Sequence, residues 1–346
     1  MVVCAAAVVA ALAAAAAAQS KPARRLVTPQ LEEIARAGAP IVDAEVALTT
    51  VPNGFWGGQY TTSTGELVTV YASNSYPMDP ALGQRWADFL ASLVHGPEIS
   101  TVTVLLATPS QISRTCGTEA VACYSPQGDF LYTPGEDPGS DLSAEAVITH
   151  EYGHHVANNR LNDPWSALDW GPKRWASSLQ VCARSASGQL FPGAEDGAHY
   201  QLNPGEGWAE TYRVLNERKA GIPETPWQIV SQSLYPTAAS LAAADQDVVS
   251  PWARNTTTMQ RAALTLKRTR TFTVATPLDG TLKLTLRPSA GLRISVDLFA
   301  SSKRVAHVVT ARAFSRTPTV CGARSYRVKV TDLRGSGSVS LAVSKP

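Results

Sequence analysis

The sequence predicts an α+β fold in which a mixed sheet with helices comes first and a small all-β sandwich follows. Two observations carry this prediction. Short strand patterns in the first part alternate with helical patterns, of which the clearest lie at 79–94 and 142–158. After about residue 260 helical periodicity stops and short alternating segments continue to the end. The predicted units are a leader at 1–19, a first domain at 20–260 and a β-domain at 261–346.

The leader resembles a signal peptide. Residues 2–18 are almost wholly Ala and Val, and they end in Ala16-Ala17-Ala18-Gln19, which fits an A-x-A cleavage site. The basic segment that usually precedes such a stretch is missing. A membrane anchor is the alternative, but a run of about 17 residues, mostly weakly apolar Ala, is short for a span. We therefore expect a secreted, extracellular protein with no stable membrane insertion.

The composition is that of an ordinary globular protein. Apolar residues make up 44% of the chain, charged residues 17%, and the formal net charge is +2. No basic run and no acidic tail is present, so we expect no nucleic-acid partner. A length of 346 residues is enough for two domains. Nothing in the sequence fixes the oligomeric state, and we expect a monomer.

The cysteines fit an exported protein. Removing the leader, and Cys4 with it, leaves four: Cys116, Cys123, Cys182 and Cys321. An even count in an oxidising compartment suggests two disulfides. Cys116 and Cys123 are close enough in sequence to close a small loop, which would pair Cys182 with Cys321, although three pairings remain open. A cysteine-based zinc site is the alternative, but the chain has no C-x-x-C spacing.

The first domain contains predicted strands at 44–50, 59–62, 66–72, 100–107 and 129–133, with the second and third forming a hairpin. The short strand at 129–133 comes just before the helix at 142–158, and we expect it to be the sheet edge to which an extended substrate adds. A later loop contains Trp165, Trp170 and Trp175, for which core packing is favoured over a role as a cleft wall.

Six short strands are predicted in the β-domain, separated by turn signals such as Asp279-Gly280. Alternation of apolar and polar residues, as at Tyr326, Val328 and Val330, indicates a small sandwich with one buried face per strand. A role in binding substrate, cell wall or another protein stays open, as does a purely stabilising one. The six strands are 271–275, 281–287, 292–299, 305–310, 326–331 and 339–343.

The helix at 142–158 contains His150-Glu151-Tyr152-Gly153-His154, an H-E-x-x-H motif. Residues four apart lie on one helical face, so His150 and His154 can present two imidazole nitrogens to one zinc ion. Glu151 then lies beside that ion, where it can take a proton from a water that the metal activates. His155 points about 100° away around the helix and is not expected to be a ligand.

A tetrahedral catalytic zinc needs a third protein ligand. One class of such enzymes has a third His six residues after the second; here that residue is Arg160, which excludes the class. A later helix begins with Asn203 as its N-cap and carries Glu206 and Glu210 on one face. Glu206 at position N3 has a competing role in a capping box. Weaker substitutes as ligands are Asp169, Asp196 and His199.

The motif HEYGH followed by E-x-x-A-E resembles the gluzincin group of zinc metallopeptidases. The resemblance implies a zincin-like domain with one catalytic Zn²⁺, in which Glu206 is the third ligand and Glu210 supports a zinc-bound histidine. The interval of 52 positions from His154 to Glu206 is longer than in thermolysin-like enzymes. The chain also resembles exported actinobacterial proteins with a C-x6-C-Y loop ahead of HEYGHH, here residues 116–124.

Related enzymes sometimes place a tyrosine just before the third-ligand helix to stabilise the oxyanion, and Tyr200 has that position, with Tyr212 as the second candidate. The expected function is a secreted zinc-dependent metalloendopeptidase with a polypeptide substrate. Two alternatives stay open. One is an exported binding or adhesion protein whose zincin domain is inactive, and the other is a zinc hydrolase with a non-peptide substrate.

Overall fold

A computed structural model of the chain describes residues 51–138, 142–195 and 197–346. The predicted signal peptide, the predicted strand at 44–50 and Asp196 lie outside the described residues. The architecture is mixed α+β with a sandwich-like β region at the C-terminal end, as the sequence predicted. No helix in the described part of the chain is both long enough and apolar enough to cross a bilayer.

The first part is built on a five-stranded mixed sheet of order β1-β2-β3-β5-β4. Its central strands β2, β3 and β5 are parallel, whereas β1 and β4 are antiparallel edges. The predicted hairpin is confirmed, because β1 and β2 pair along their whole length. The strands are β1 (Phe55–Thr61), β2 (Leu67–Ser73), β3 (Thr103–Leu106), β4 (Cys123–Ser125) and β5 (Phe130–Thr133).

The prediction that the strand at 129–133 forms a sheet edge is wrong. Strand β5 lies between β3 and β4, and the three-residue strand β4 is the edge. The chain reverses between β4 and β5 at Gly128 and Asp129, whose φ angles of 91° and 54° are left-handed. Strand β4 is too short to show an alternating pattern, so only the tertiary pairing reveals it.

Nine helices and two 3₁₀ turns are present in the described part of the chain. Ser143 caps the motif helix through its side chain. Asn203 caps the later helix, as predicted, and Pro204 lies in the first turn of that helix. The helices are α1 (Pro80–Ser92), α2 (Pro109–Cys116), α3 (Ala144–Asn158), α4 (Ala167–Trp170), α5 (Lys173–Ser178), α6 (Val181–Ala186), α7 (Gly197–Tyr200), α8 (Pro204–Ala220) and α9 (Ala238–Val249). The 3₁₀ turns are Pro97–Ser100 and Gln232–Leu234.

Helices α3 and α8 pack closely in the core. Gly153 permits this approach, because a Cβ atom there would lie 2.9 Å from the Cα of Ala209. Trp208 from α8 donates its indole N–H to the carbonyl of Gly153 at 2.7 Å. Trp175 packs edge-to-face on Trp208 and is fully buried, which confirms the core role predicted for it. The Gly153–Ala209 contact and the hydrogen bond from Trp208 therefore fix the separation of α3 and α8, the two helices that carry the candidate site residues.

The C-terminal region is a sandwich of two four-stranded antiparallel sheets, β11-β10-β14-β7 and β12-β9-β15-β6, with a small β13-β8 pair. The predicted strands are found with shifted or longer bounds, except that the predicted strand 281–287 is divided into β8 and β9, and strands β12 and β13 were not predicted. Strand β6 was missed because most of its residues are exposed, so it shows no clear alternation, and it begins ahead of residue 261. The strands are β6 (Thr256–Thr265), β7 (Thr269–Ala275), β8 (Gly280–Thr281), β9 (Lys283–Pro288), β10 (Arg293–Ala300), β11 (Lys303–Thr310), β12 (Phe314–Arg316), β13 (Thr319–Val320), β14 (Ser325–Arg334) and β15 (Ser336–Lys345).

Two disulfides are formed, and both have the favoured pairing. One joins Cys116 to Cys123 and closes the loop between α2 and β4. The other joins Cys182 in α6 to Cys321 beside β13 and so ties the sandwich to the first part of the chain. Arg324 supports the same junction, since it donates to Asp279 at 2.7 Å and to the carbonyl of Ser177 at 2.8 Å.

Candidate metal centre

Helix α3 positions the two motif histidines. His150 and His154 lie one turn apart on the same face, with their ring centroids 5.0 Å apart, and both are buried. Most residues of this helix are buried, on all of its faces. Polar rings inside such a helix carry a desolvation cost unless they have partners. The partners come from helix α8.

Glu206 reaches both histidines from the first turn of α8. Its Oε2 atom lies 3.3 Å from Nε2 of His150 and 3.4 Å from Nε2 of His154. Metal–nitrogen and metal–oxygen bonds of about 2.0–2.1 Å at tetrahedral angles would place ligand atoms about 3.3–3.4 Å apart. The three groups offer ligand atoms within 4.8 Å of one another. This cluster therefore has the donor atoms and the spacing to hold a metal ion.

The competing capping role of Glu206 is not formed. The backbone N–H of Asn203, which a capping box would use, donates instead to the carbonyl of Tyr200. Glu206 turns its carboxylate toward the histidines, and Tyr200 donates its hydroxyl to Oε2 of Glu206 at 2.9 Å. Tyr200 is thus in contact with the candidate metal cluster.

Glu210 occupies the other edge of the His150 ring, with Oε1 2.9 Å from Nδ1. Arg213 holds the same carboxylate with two hydrogen bonds, from Nε at 3.0 Å and from Nη2 at 2.7 Å. Its remaining nitrogen, Nη1, donates to both oxygens of Glu217 at 2.8 Å. Arg213 was not predicted from the sequence as part of the site. The available signal was the spacing of Glu210, Arg213 and Glu217, which places all three on one face of α8.

Burial and charge act in opposite directions on the pKa values of this cluster. Burial by itself would lower the pKa of His150, but hydrogen bonds to Glu206 and Glu210 raise it to about 10. Burial raises the pKa of Glu210, yet hydrogen bonds from His150 and Arg213 hold it at about 2. For Glu206, burial is outweighed by the charge of His154 and the hydrogen bond from His150, so its pKa is well below the usual range. Both carboxylates are therefore held ionised.

The pKa of Glu151 is shifted in the opposite direction from those of Glu206 and Glu210. Burial raises it above the usual value despite the opposing effect of His150 and His154. It lines the same cavity as the two histidines, Glu206 and Tyr200. The cavity has a volume of about 700 Å³. Glu151 is thus a carboxylate with a raised pKa that lies beside the candidate metal cluster and faces a cavity, a position from which a proton can be accepted.

The disulfide-closed loop forms one wall of this cavity. Residues 116–124 line it, opposite the motif helix. Tyr124, from edge strand β4, donates its hydroxyl to Asp129, and that carboxylate lies 3.3 Å from Nδ1 of His155. Nε2 of His155 lies 2.8 Å from the carbonyl oxygen of Glu98. His155 therefore faces away from the metal-ligating cluster, as its helical angle predicted, and connects the edge strand to α3.

The other candidates from the sequence lie outside the cluster. Tyr212 is fully buried and donates its hydroxyl to the carbonyl of Val94 at 2.6 Å, which is a packing role. Arg160 forms a buried ion pair with Glu98 at 3.0 Å. Asp169 lies in α4, and burial raises its pKa. The ring of His199 lies against Phe191, with the centroids 3.9 Å apart.

No protein-family model and no curated protein matches this chain. Among solved structures, a pre-peptidase C-terminal domain of a Bacillus anthracis collagenase is 16% identical at a TM-score of 0.22, covering 25% of this chain and 87% of its own. The Yersinia pseudotuberculosis-derived mitogen is 9% identical at a TM-score of 0.22, covering 27% and 87%. Latent PorU from Porphyromonas gingivalis is 12% identical at 0.19, covering 27% and 13%. Similarities at these TM-scores support no conclusion about fold or function.

Proposed function

We propose that this chain is a secreted zinc-dependent metalloendopeptidase with a zincin-like first domain, related to the gluzincins. The observation that carries the proposal is the buried cluster of His150, His154 and Glu206: Oε2 of Glu206 lies 3.3 and 3.4 Å from the two histidine Nε2 atoms, the spacing of ligand atoms on a tetrahedral metal, and all three groups lie within 4.8 Å of one another. Two imidazoles and one carboxylate are the protein ligands of several catalytic zinc sites, which leave a fourth position for a reactant.

Glu151 is the general base in this proposal. A zinc ion bound at the cluster would act as a Lewis acid and lower the pKa of a water to about 7. The Glu151 carboxylate accepts the proton of that water as its oxygen attacks the peptide carbonyl, and then passes the proton to the leaving amine. Its raised pKa supports the first step, because a carboxylate with a higher pKa is a stronger base towards the attacking water.

Tyr200 is the proposed donor to the developing oxyanion. Its hydroxyl already lies at the cluster, where it donates to Glu206. Burial, together with the charge of Glu206, keeps its pKa well above the usual value, so it retains its proton for donation. A single donor of this kind contributes about 10²–10³-fold to turnover in acyl-transfer enzymes.

Edge strand β4 supports a polypeptide as the substrate class. An extended polypeptide can add to a free sheet edge through main-chain hydrogen bonds, and β4 borders the cavity beside the motif helix. The Cys116–Cys123 disulfide holds the loop from which β4 begins. The proposed substrate is therefore a polypeptide bound as an added strand, with the scissile bond near Glu151.

The test is cleavage of a diverse peptide library by zinc-loaded protein of residues 20–346, with bound zinc measured in parallel. Glu151→Gln is expected to abolish cleavage and retain zinc. Glu145→Gln is the matched control, because Glu145 is an exposed carboxylate on the same helix, and we expect it to cleave normally. Tyr200→Phe is expected to lower kcat by about 10²-fold with little change in KM.

The outcomes separate the alternatives. Loss of zinc together with activity in Glu151→Gln would count against its role as base. No cleavage by folded, zinc-loaded wild-type protein would favour either a binding or adhesion protein with an inactive zincin domain or a hydrolase of non-peptide substrates. The buried Glu151 argues against the first of these, since a purely structural metal site has no use for a buried base.

A further inference from the structure

Charge is divided very unevenly between the two parts of the chain. Residues 256–346 contain sixteen Lys and Arg but only three Asp and no Glu, a net charge of +13. Residues 51–255 contain ten Lys and Arg and twenty-one Asp and Glu, a net charge of −11. The overall net charge of +2 hides this asymmetry. A division of this size between halves of a chain indicates a polyanionic partner for the basic half.

The three acidic residues of the sandwich leave its positive charge uncovered. Asp332 is fully buried, and Asp279 is buried against Arg324. Asp297 is paired with Arg304 and lies 2.9 Å from His307. In contrast, fourteen of the sixteen cations have exposed side chains. They are Arg261, Lys267, Arg268, Arg270, Lys283, Arg287, Arg293, Lys303, Arg304, Arg312, Arg316, Arg327, Lys329 and Arg334.

One end of the sandwich concentrates these cations. Strand β14 begins near the junction with the first part of the chain and runs to Arg334, a length of about 30 Å. Arg293 pairs with Arg334 in the register of β10 and β14. The turn that contains Lys267 and Arg268 adjoins them, through hydrogen bonds with the backbone of Asp332.

Arg312 belongs to the same end, because it follows Thr310, which pairs with Ile294 beside Arg293. We call the five residues Lys267, Arg268, Arg293, Arg312 and Arg334 the distal basic end. Within the described ranges none of the five has an ion-pair partner. The outer sheet faces add further cations: Arg261 and Arg287 lie on either side of Ser340 in the register of β6, β15 and β9.

Unpaired like charges repel one another and reduce the stability of the folded state, so a ligand that neutralises them gains affinity. We propose that the sandwich binds a flexible linear polymer that carries a phosphate group in each repeat, with the distal basic end as the main contact. The guanidinium group favours phosphate because it offers two parallel donors, and eleven of the sixteen cations are Arg.

Two features favour a flexible phosphate polymer over other polyanions. The aromatic residues of the sandwich are Phe272, Phe299, Phe314 and Tyr326, and none of them is exposed, so no platform for stacking nucleobases is present among them. The cations cover both sheet faces as well as the distal basic end, whereas a flat membrane would meet only one side. A flexible chain can follow all of these surfaces.

This binding function of the sandwich does not depend on any catalytic activity of the first part of the chain. A polyanion repels the first part of the chain, whose net charge is −11. The Cys182–Cys321 disulfide joins that part to one end of the sandwich, and the distal basic end lies at the other. Binding would therefore hold the protein through the sandwich and keep the first part of the chain, which contains Glu151, farther from the polymer.

The test measures binding of the full chain to immobilised long-chain inorganic polyphosphate as salt is raised from about 50 to 200 mM. Affinity is expected to fall steeply, with a linear dependence of log K on log salt concentration. The triple variant Arg268→Gln, Arg293→Gln and Arg334→Gln is expected to bind at least tenfold more weakly and to reduce the slope by about 2, since each phosphate contact contributes about 0.7.

The matched control removes the same number of exposed cations outside the sandwich: Arg114→Gln, Lys219→Gln and Arg254→Gln. We expect its affinity to stay within about twofold of the wild type, and a thermal melt of each variant reports whether it is folded. Absence of wild-type binding at the lowest salt would overturn the proposal, as would equal losses in the two triple variants. Equally tight binding to polyglutamate, duplex DNA or vesicles with anionic lipid would overturn the assignment to a phosphate polymer.

Discussion

The Nδ1 atom of His150 lies 2.9 Å from Oε1 of Glu210, on the edge of the ring opposite the Nε2 atom that faces Glu206. A carboxylate in this position fixes the ring orientation and accepts the Nδ1 proton, so a metal ion would replace the proton on Nε2 and take that nitrogen as its ligand atom. Arg213 in turn holds Glu210 by two hydrogen bonds. The geometry of the site thus depends on a chain of three residues, of which only the first belongs to the H-E-x-x-H motif.

Arg213 is expected to affect the zinc affinity of the site through Glu210. Arg213→Lys keeps the charge but loses the planar pair of donors that holds Glu210, so we expect zinc affinity to fall about tenfold. Competition with a chromophoric chelator measures the change. Arg218→Lys is the control, because Arg218 lies on the same helix and its ion pair with Glu224 is largely exposed. Equal zinc affinity in wild type and Arg213→Lys would show that Arg213 does not position the site.

Glu206→Gln keeps the shape of the side chain and the hydrogen bond from Tyr200, but it removes the negative ligand. We expect zinc affinity to fall by more than about 100-fold, beyond the effect of an outer partner such as Glu210. Zinc retained after dialysis, measured by atomic emission, reports the change. Glu145→Gln serves as the exposed control on the motif helix. Unchanged zinc affinity would remove Glu206 from the ligand set.

Gly153→Ala tests the close packing of α3 on α8. The added methyl group would lie 2.9 Å from the Cα of Ala209, which is backbone and has little freedom to move. We expect a loss of about 1–3 kcal/mol in unfolding free energy, together with weaker zinc binding as the helices separate. Ala146→Gly is the comparison: it costs about 1 kcal/mol through helix propensity and leaves the separation unchanged. A normal zinc affinity in Gly153→Ala would contradict the prediction.

The two disulfides are expected to differ in their contribution to stability. Cys182–Cys321 closes a sequence separation of 139 residues, whereas Cys116–Cys123 closes one of 7. Loop entropy gives about 5 kcal/mol for the first and about 2 kcal/mol for the second. Urea denaturation of the two double Cys→Ser variants measures both. Equal losses would show that loop length does not govern the stabilisation here.

The free energy of unfolding is expected to depend on pH because of Lys173. Burial lowers its pKa to about 8, although Asp163 and Asp279 oppose the shift. Above pH 8 the folded protein loses this proton while the unfolded chain keeps it, so the unfolded state binds more protons and stability rises with pH. Between pH 8 and 9.5 the unfolding free energy of wild type should rise by about 2 kcal/mol relative to Lys173→Met. A pH-independent difference in urea denaturation would exclude this shift.

Local patterns predicted much of the fold. The hairpin β1–β2, the helices around residues 80–92 and 204–220, and the alternating strands of the sandwich follow from periodicities of 2 and 3.6 and from capping residues. Strands β4 and β6, and the position of β5 inside the sheet, could not be predicted from these local patterns. A strand of three residues has no period to recognise, and a strand exposed along most of its length does not alternate.

The sequence by itself determined which residues could meet a metal. Spacing of four on one helix brings His150 and His154 together, and spacing of four on another brings Glu206 and Glu210 to one face. Only the tertiary structure decided that these two faces meet, because the contact spans about 50 residues and depends on Gly153 fitting against Ala209. The same holds for Glu206, whose carboxylate turns towards the two histidines and does not cap its own helix. Helical periodicity is a property of neighbours in the chain, whereas packing between helices depends on the shape and volume of every residue at their contact.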